Sequence, residues 1–134
     1  MQLVPYLSFK GDCEAAFQFY LDLFKGKPGE MFRYAGTPIA GEVPGEWGDK
    51  IMHGSITIEG QQLMGADMGP RHYQQPAGFS ISLHLKDTGQ AERIFKGLSE
   101  GGKVTFPLEK TFWAERFGMV TDRFGIPWSI NCEA

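Results

Sequence analysis

The strongest constraint on this chain is that its two halves repeat one pattern, because a repeated module restricts the fold to paired copies of one supersecondary unit. QLVPYLSF (2–9) leads into GDCEAAFQFYLDLFKGKPG, and GFSISLHLKD (78–87) leads into DTGQAERIFKGLSEGG. The helix ends align: FKGK at 24–27 lies 76 positions before EGGK at 100–103.

Each opening run is a short β-favouring segment. In the second, Ile81, Leu83 and Leu85 alternate with Ser80, Ser82 and His84, which predicts a strand with one buried face. Each following run carries helical spacing. Phe17, Tyr20, Leu21 and Phe24 fall on one face of the first helix, and Ala91, Ile94, Phe95 and Leu98 on one face of the second. Asp12 is the expected N-cap of the first, with Glu14 at the positive end of its dipole, and Asp87 or Thr88 caps the second. Gly26 is expected to take the left-handed stop before Pro28, and Gly101 or Gly102 ends the other helix.

Three strand-like runs follow each helix: 29–35, 51–59 and 61–67, then 103–109, 111–122 and 126–133. Glu59-Gly60 and Arg123-Phe124-Gly125 are the expected tight turns, where glycine accepts a positive φ. Each half therefore reads β-α-β-β-β, in one domain of two modules, 1–67 and 78–134, linked by 68–77. The glycine- and proline-rich loop 36–50 is the main difference between them, and its length suits a cover.

Composition excludes several classes. With 13 basic and 16 acidic residues in 134, the net charge is −3, which gives no nucleic-acid surface. No 18-residue apolar run predicts a membrane span. MQLVPYLSF lacks a basic n-region and a cleavage site, so the expected compartment is the cytoplasm. The two cysteines, Cys13 and Cys132, make no disulfide framework and are expected reduced. Cys13 at a helix start could have a lowered pKa; a buried, inert thiol is the simpler reading.

Three motifs carry a family resemblance: PYLSFKGDCEAAFQFY (5–20), the KIMHGSITI…LMGAD pair (50–67), and FWAERFGMVTDRFGIPWSIN (112–131). On these the chain closely resembles the PhnB-like branch of the vicinal oxygen chelate superfamily, which includes glyoxalase I, bleomycin-resistance proteins and extradiol dioxygenases. The resemblance implies an α+β fold of two tandem βαβββ modules, with curved mixed sheets around a cavity, and a homodimer. Some members carry a demethylubiquinone methyltransferase label. This chain has no glycine-rich strand-to-helix turn for S-adenosylmethionine and does not read as a parallel α/β sheet.

Metal-using members of the superfamily place one histidine or carboxylate ligand on each of four strands. Carried over residue by residue, these positions fall on Pro5 or Val4, near Met64, on Ser80 and on Ser129. None is a usual divalent-metal ligand, so the usual four-ligand site is expected to be absent. His53, His84, Asp67 and Glu115 are the candidates for a relocated metal, with His53 and His84 foremost. Against that stands the plainer reading of hydrogen-bonded histidines on polar strand faces. His72 falls in the linker and is expected to be exposed.

Other candidates face a ligand by strand alternation. Trp113 and Glu115 share one face and Ala114 and Arg116 the other. An inward Arg116 would pair with a carboxylate or phosphate, and Trp113 would stack on a planar or cationic ligand. As edge charges and a packing ring, the same residues would bind nothing. Ser129 and Asn131 alternate with Trp128, Ile130 and Cys132, so the polar pair is available for hydrogen bonding. Ser129 has no surrounding elbow or base that would make it a nucleophile. Asp122 is expected to serve the turn.

Two functions stay open. The first is a protein that binds a small molecule through Trp113, Arg116, Ser129, Asn131, Met64 and Ser80, with no cofactor. The second is a lyase, isomerase or oxygenase using a relocated divalent metal, or a metal-free acid–base mechanism through His53, His84 or Glu115.

Overall fold

A computed structural model describes residues 1–133. The chain divides into two compact units, Met1–Gln75 and a second beginning at Pro76.

The first unit contains β1 (Tyr6–Phe9), α1 (Cys13–Phe24), β2 (Lys27–Arg33), β3 (Ile51–Ile58) and β4 (Gln61–Asp67). The second repeats it as β5 (Ile81–Leu85), α2 (Thr88–Ser99), β6 (Lys103–Glu109), β7 (Ala114–Thr121) and β8 (Pro127–Glu133). The sheet orders are β1-β4-β3-β2 and β5-β8-β7-β6. In each, the first strand joins the last in parallel while the other three form an antiparallel meander. This is an α+β fold of two four-stranded mixed sheets, neither of them a closed barrel.

Both helices cover one face of their own sheet. Cys13, Ala16, Phe17 and Tyr20 are buried on α1, as are Ala91, Ile94 and Leu98 on α2. They pack on Leu7, Phe9 and Ile56 in the first unit and on Val120, Trp128 and Ile130 in the second, all nearly inaccessible to water. This apolar burial is the main stabilising term for each module.

The repeat extends to the contact that closes each module. A Cβ on Gly26 would lie 2.7 Å from the Thr57 carbonyl oxygen, and one on Gly102 would collide with the equivalent Thr121 oxygen. Both glycines let the chain leaving the helix pass against a strand carbonyl. In the turn between β3 and β4, Glu59 (φ 49°) and Gly60 (φ 78°) are both left-handed, the pairing a two-residue hairpin turn requires.

Several local expectations are corrected. The first strand begins at Tyr6 rather than Gln2, and Leu3 is exposed. Lys25, not Gly26, takes the left-handed stop of α1, with φ 54° and ψ 46°; Gly26 is needed for close approach instead. Asp12 precedes α1 but makes no side-chain cap. On α2, Asp87 does cap, accepting from Gly89 N at 2.9 Å. Strand β2 runs through Pro28, tolerated because β2 is an edge strand. In β5 the Ile81, Leu83 and Leu85 set is half-buried rather than fully buried. Loop 36–50 contains two short 3-10 turns, Ala40–Glu42 and Gly45–Asp49.

Candidate functional site

Register fixes which side chains lie on the face of each sheet away from its helix. In the second unit, Gly118 faces α2, because a Cβ there would meet the Phe95 ring at 2.8 Å. Its neighbours Phe117 and Met119 therefore face away from the helix. Phe117 lies opposite Asn131, and Met119 opposite Ser129 and Phe106. Ser82 and His84 of β5 stand beside Ser129 and Asn131 in the parallel register.

This face carries a row of polar groups. Ser80 Oγ donates to Ser129 Oγ at 3.3 Å. Ser82 Oγ and His84 Nε2 are bonded at 3.0 Å, and Asn131 Nδ2 approaches His84 Nδ1 at 3.5 Å. Rings flank the row: Phe106 meets Phe117 edge-on at 5.5 Å, Trp113 meets Phe117 at 5.3 Å, and Phe112 meets Trp113 at 4.8 Å. Trp113 is half exposed and Phe112 almost wholly so. Exposed rings beside hydrogen-bonding side chains can hold a flat molecule by stacking and fix its orientation.

Arg116 is not part of this face. A register irregularity between Ala114 and Arg116 sets Ala114 opposite Glu133 and Arg116 opposite Cys132, so the two fall on opposite faces. Arg116 Nε then donates to Glu92 Oε1 of α2 at 3.2 Å. Simple alternation, which put Ala114 and Arg116 together, fails at this bulge. Glu115 lies at the irregularity and pairs loosely with Lys110 at 3.7 Å.

In the first unit, Gly65 faces α1, where a Cβ would meet the Phe17 ring at 3.1 Å. Met64 and its partners Tyr6 and Ser55 therefore face away from the helix, as do His53 and Phe32 opposite it. Tyr6 Oη and His53 Nδ1 are hydrogen-bonded at 2.9 Å. Their rings lie near-parallel, 5.7 Å apart, and the Phe32 ring also stacks on His53, at 6.4 Å. Burial raises the Tyr6 phenol above its ordinary value. Sequence reasoning identified His53 but missed Tyr6 and Phe32. Their β-favouring types gave no sign that they would meet a histidine from another strand.

Two buried carboxylates are structural. Asp67 Oδ1 accepts from Gly11 N at 3.0 Å and Cys13 N at 2.9 Å, and Oδ2 accepts from Ile51 N at 2.8 Å. Asp122 Oδ1 accepts from Phe124 N and Ile126 N, and Oδ2 from Trp128 Nε1 at 2.9 Å. Asp122 serves the turn as expected. Asp67, considered above as a relocated ligand, is occupied by three backbone N–H groups. Burial, reinforced by the Asp67 carboxylate, pushes the Cys13 thiol up, opposite to an activated cysteine. His72 is exposed.

The donor set does not fit the superfamily's divalent metal. Of the four positions, Met64 offers a thioether, and Ser80 and Ser129 bond each other. Among the described residues no three His, Cys, Asp or Glu side chains cluster as a metal-holding group.

Comparison with known proteins agrees with this fold. A sequence profile described as 3-demethylubiquinone-9 3-methyltransferase matches residues 1–131. Protein YjdN of Escherichia coli (strain K12) is 34% identical over 142 residues, covering 98% of this chain and 95% of YjdN. The crystal structure of protein PA1353 from Pseudomonas aeruginosa is 43% identical, with TM-score 0.89, over 99% of this chain and 98% of that one. A putative 3-demethylubiquinone-9 3-methyltransferase, PhnB protein, from Bacillus cereus shares the fold at 21% identity and TM-score 0.84, over 98% and 99% of the two chains. A glyoxylase/bleomycin resistance protein/dioxygenase domain from Frankia sp. EAN1pec shares it at 11% identity and TM-score 0.65, over 99% and 95%. The methyltransferase description is the profile's name only; each sheet here is mostly antiparallel rather than a doubly wound parallel sheet. The chain belongs to the family described as 3-demethylubiquinone-9 3-methyltransferase.

Proposed function

We propose that the protein binds a small planar molecule without transforming it, on the helix-free face of the second unit. The observation that carries this reading is the polar row Ser80–Ser129 and Ser82–His84–Asn131, bordered by the Phe117 and Trp113 rings. A flat ligand with both donors and acceptors would stack on the rings and exchange hydrogen bonds with the row. The family resemblance supports a homodimer as the working form, and two buried free cysteines suit the cytoplasm.

A second reading, a metal-free acid–base enzyme, is favoured by the Tyr6–His53 hydrogen bond, since a phenol and an imidazole can exchange a proton at that distance.

Lumichrome, a planar tricycle with N–H donors and carbonyl acceptors, is a suitable probe. Binding followed by its fluorescence should weaken about fivefold or more in Trp113→Ala and in Asn131→Ala. Lumichrome that binds both variants as it binds the wild type would refute the site. Stoichiometric zinc, nickel, manganese or iron in protein made without added metal or a polyhistidine tag, lost in His53→Ala, would replace the binding reading with the metal-enzyme one.

A further inference from the structure

Two irregular segments of the first unit close over the turn between β1 and α1. A Cβ on Gly11 would lie 3.7 Å from the Trp47 ring and 3.6 Å from Cε of Lys50, so loop 36–50 rests on this turn. The same loop reaches the segment that follows β4, where a Cβ on Gly69 would meet Val43 at 3.2 Å. That segment makes its own turn, His72 N and Tyr73 N both donating to the Gly69 carbonyl, and the Tyr73 phenol lies close enough to feel the Asp12 charge. Loop 36–50 and turn 69–73 thus roof the start of α1, where Asp12 stands.

Asp12 is incompletely bonded there: its Oδ1 is shut off from water and has no hydrogen-bond partner. The groups around it do not compensate. Asp67 of β4 is a second carboxylate, already filled by the N–H groups of Gly11, Cys13 and Ile51. Glu14 of α1 is bound to Arg33 of β2. The Cys13 thiol and the Tyr73 phenol are both raised and stay neutral at pH 7. Lys50 Nζ would lie 3.8 Å from a Cβ on Gly11, yet among the described residues no ion pair reaches Asp12. Burial is the largest influence on the Asp12 carboxyl and raises it; Asp67 adds to the rise, while the backbone N–H groups of Asp12 and Lys10 and the Lys10 charge oppose it.

An ionised oxygen left dry and unpaired favours any rearrangement that admits water. The roof is the part that can yield, because it is loop and turn, whereas the Asp67 bonds hold the helix start in place. We propose that loop 36–50 and turn 69–73 form a lid over the start of α1, held partly open by the charge on Asp12 and closed by its protonation. The closed form raises the carboxyl, so closure is favoured below the ordinary value of 3.8 and is lost as pH rises through the raised value. The device rests on the first unit alone and is independent of any ligand in the second.

Amide hydrogen exchange of the full chain tests it. Ala35, Trp47 and Tyr73 donate backbone hydrogen bonds in the two roofing segments, to the carbonyls of Gly48, Pro44 and Gly69. Their protection factors, taken relative to the amides of β3 and β4, should fall about threefold or more between about pH 3.5 and about pH 7. Asp12→Asn cannot ionise, so its lid should stay closed, with relative protection at pH 7 within about twofold of wild type at pH 3.5. Asp22→Asn removes an exposed carboxylate from the same helix and should follow wild type. The proposal is overturned if wild-type relative protection is the same at both pH values. It is equally overturned if Asp12→Asn keeps the wild-type pH dependence, or if Asp22→Asn abolishes it. Asp12→Ser, which also carries no charge, gives the same readout should Asp12→Asn fail to fold.

Discussion

Asp67, the last residue of β4, accepts the backbone N–H of Cys13, the first residue of α1, at 2.9 Å. The carboxylate takes over the capping that Asp12 is placed to perform, and ties the start of α1 to β4, the strand paired with β1.

Replacing Asp67 by Ala should therefore be severe. It leaves the N–H groups of Gly11, Cys13 and Ile51 without their acceptor at a site that is 1% exposed. Each orphaned buried donor costs about 1–3 kcal/mol, and the expected loss is about 3–5 kcal/mol in urea denaturation. A loss under about 1 kcal/mol would show that Asp67 is not the cap.

Gly102→Ala should destabilise the second module. The added Cβ meets backbone on every side, including the Thr121 carbonyl oxygen and Asp122 Cα at 3.0 Å, so no flexible side chain can yield. A cost of about 1–3 kcal/mol is expected, with Gly26→Ala a parallel but milder case, since one of its neighbours is the movable Leu21 side chain. Thermal denaturation of the two variants measures this; a Gly102→Ala midpoint equal to wild type would contradict it.

Asp12→Asn should stabilise the protein near neutral pH. Oδ1 of Asp12 is buried with no hydrogen-bond partner, and burial raises the carboxyl above its ordinary value of 3.8. A carboxyl raised in the fold favours folding below its unfolded pKa, and that advantage is lost as pH rises through the folded value. At pH 7 the ionised group is thus a cost. Asparagine should recover about 1 kcal/mol there and nothing below about pH 3.8, where both states are protonated. Paired melts at pH 7 and pH 3 check the sign. A destabilised variant at pH 7 would mean that the charge is favourable at this helix start.

Arg116→Gln should change little. Its partner Glu92 is more than half exposed, so the ion pair is worth under about 1 kcal/mol. Lumichrome binding should stay within about twofold of wild type. A large loss of binding would return Arg116 to the site.

The sequence alone determined the duplication, the order of elements in each module and the family. These follow from local signals: apolar period, helix ends, tight turns and motifs that stay in register over 76 positions. It also put Ser80 and His84 on one face of their strand and Ser129 and Asn131 on one face of theirs, because a regular strand alternates faces; the parallel register set the two beside each other. Tertiary structure decided what local alternation cannot encode. The irregularity at Ala114–Arg116 turned Arg116 toward α2, and strand register brought Tyr6 to His53, 47 residues away. Packing of α1 on its sheet made Asp67, not Asp12, the cap. Each depends on which strands pair and in what register, and that is set by burial of the whole module's apolar surface rather than by the residues concerned.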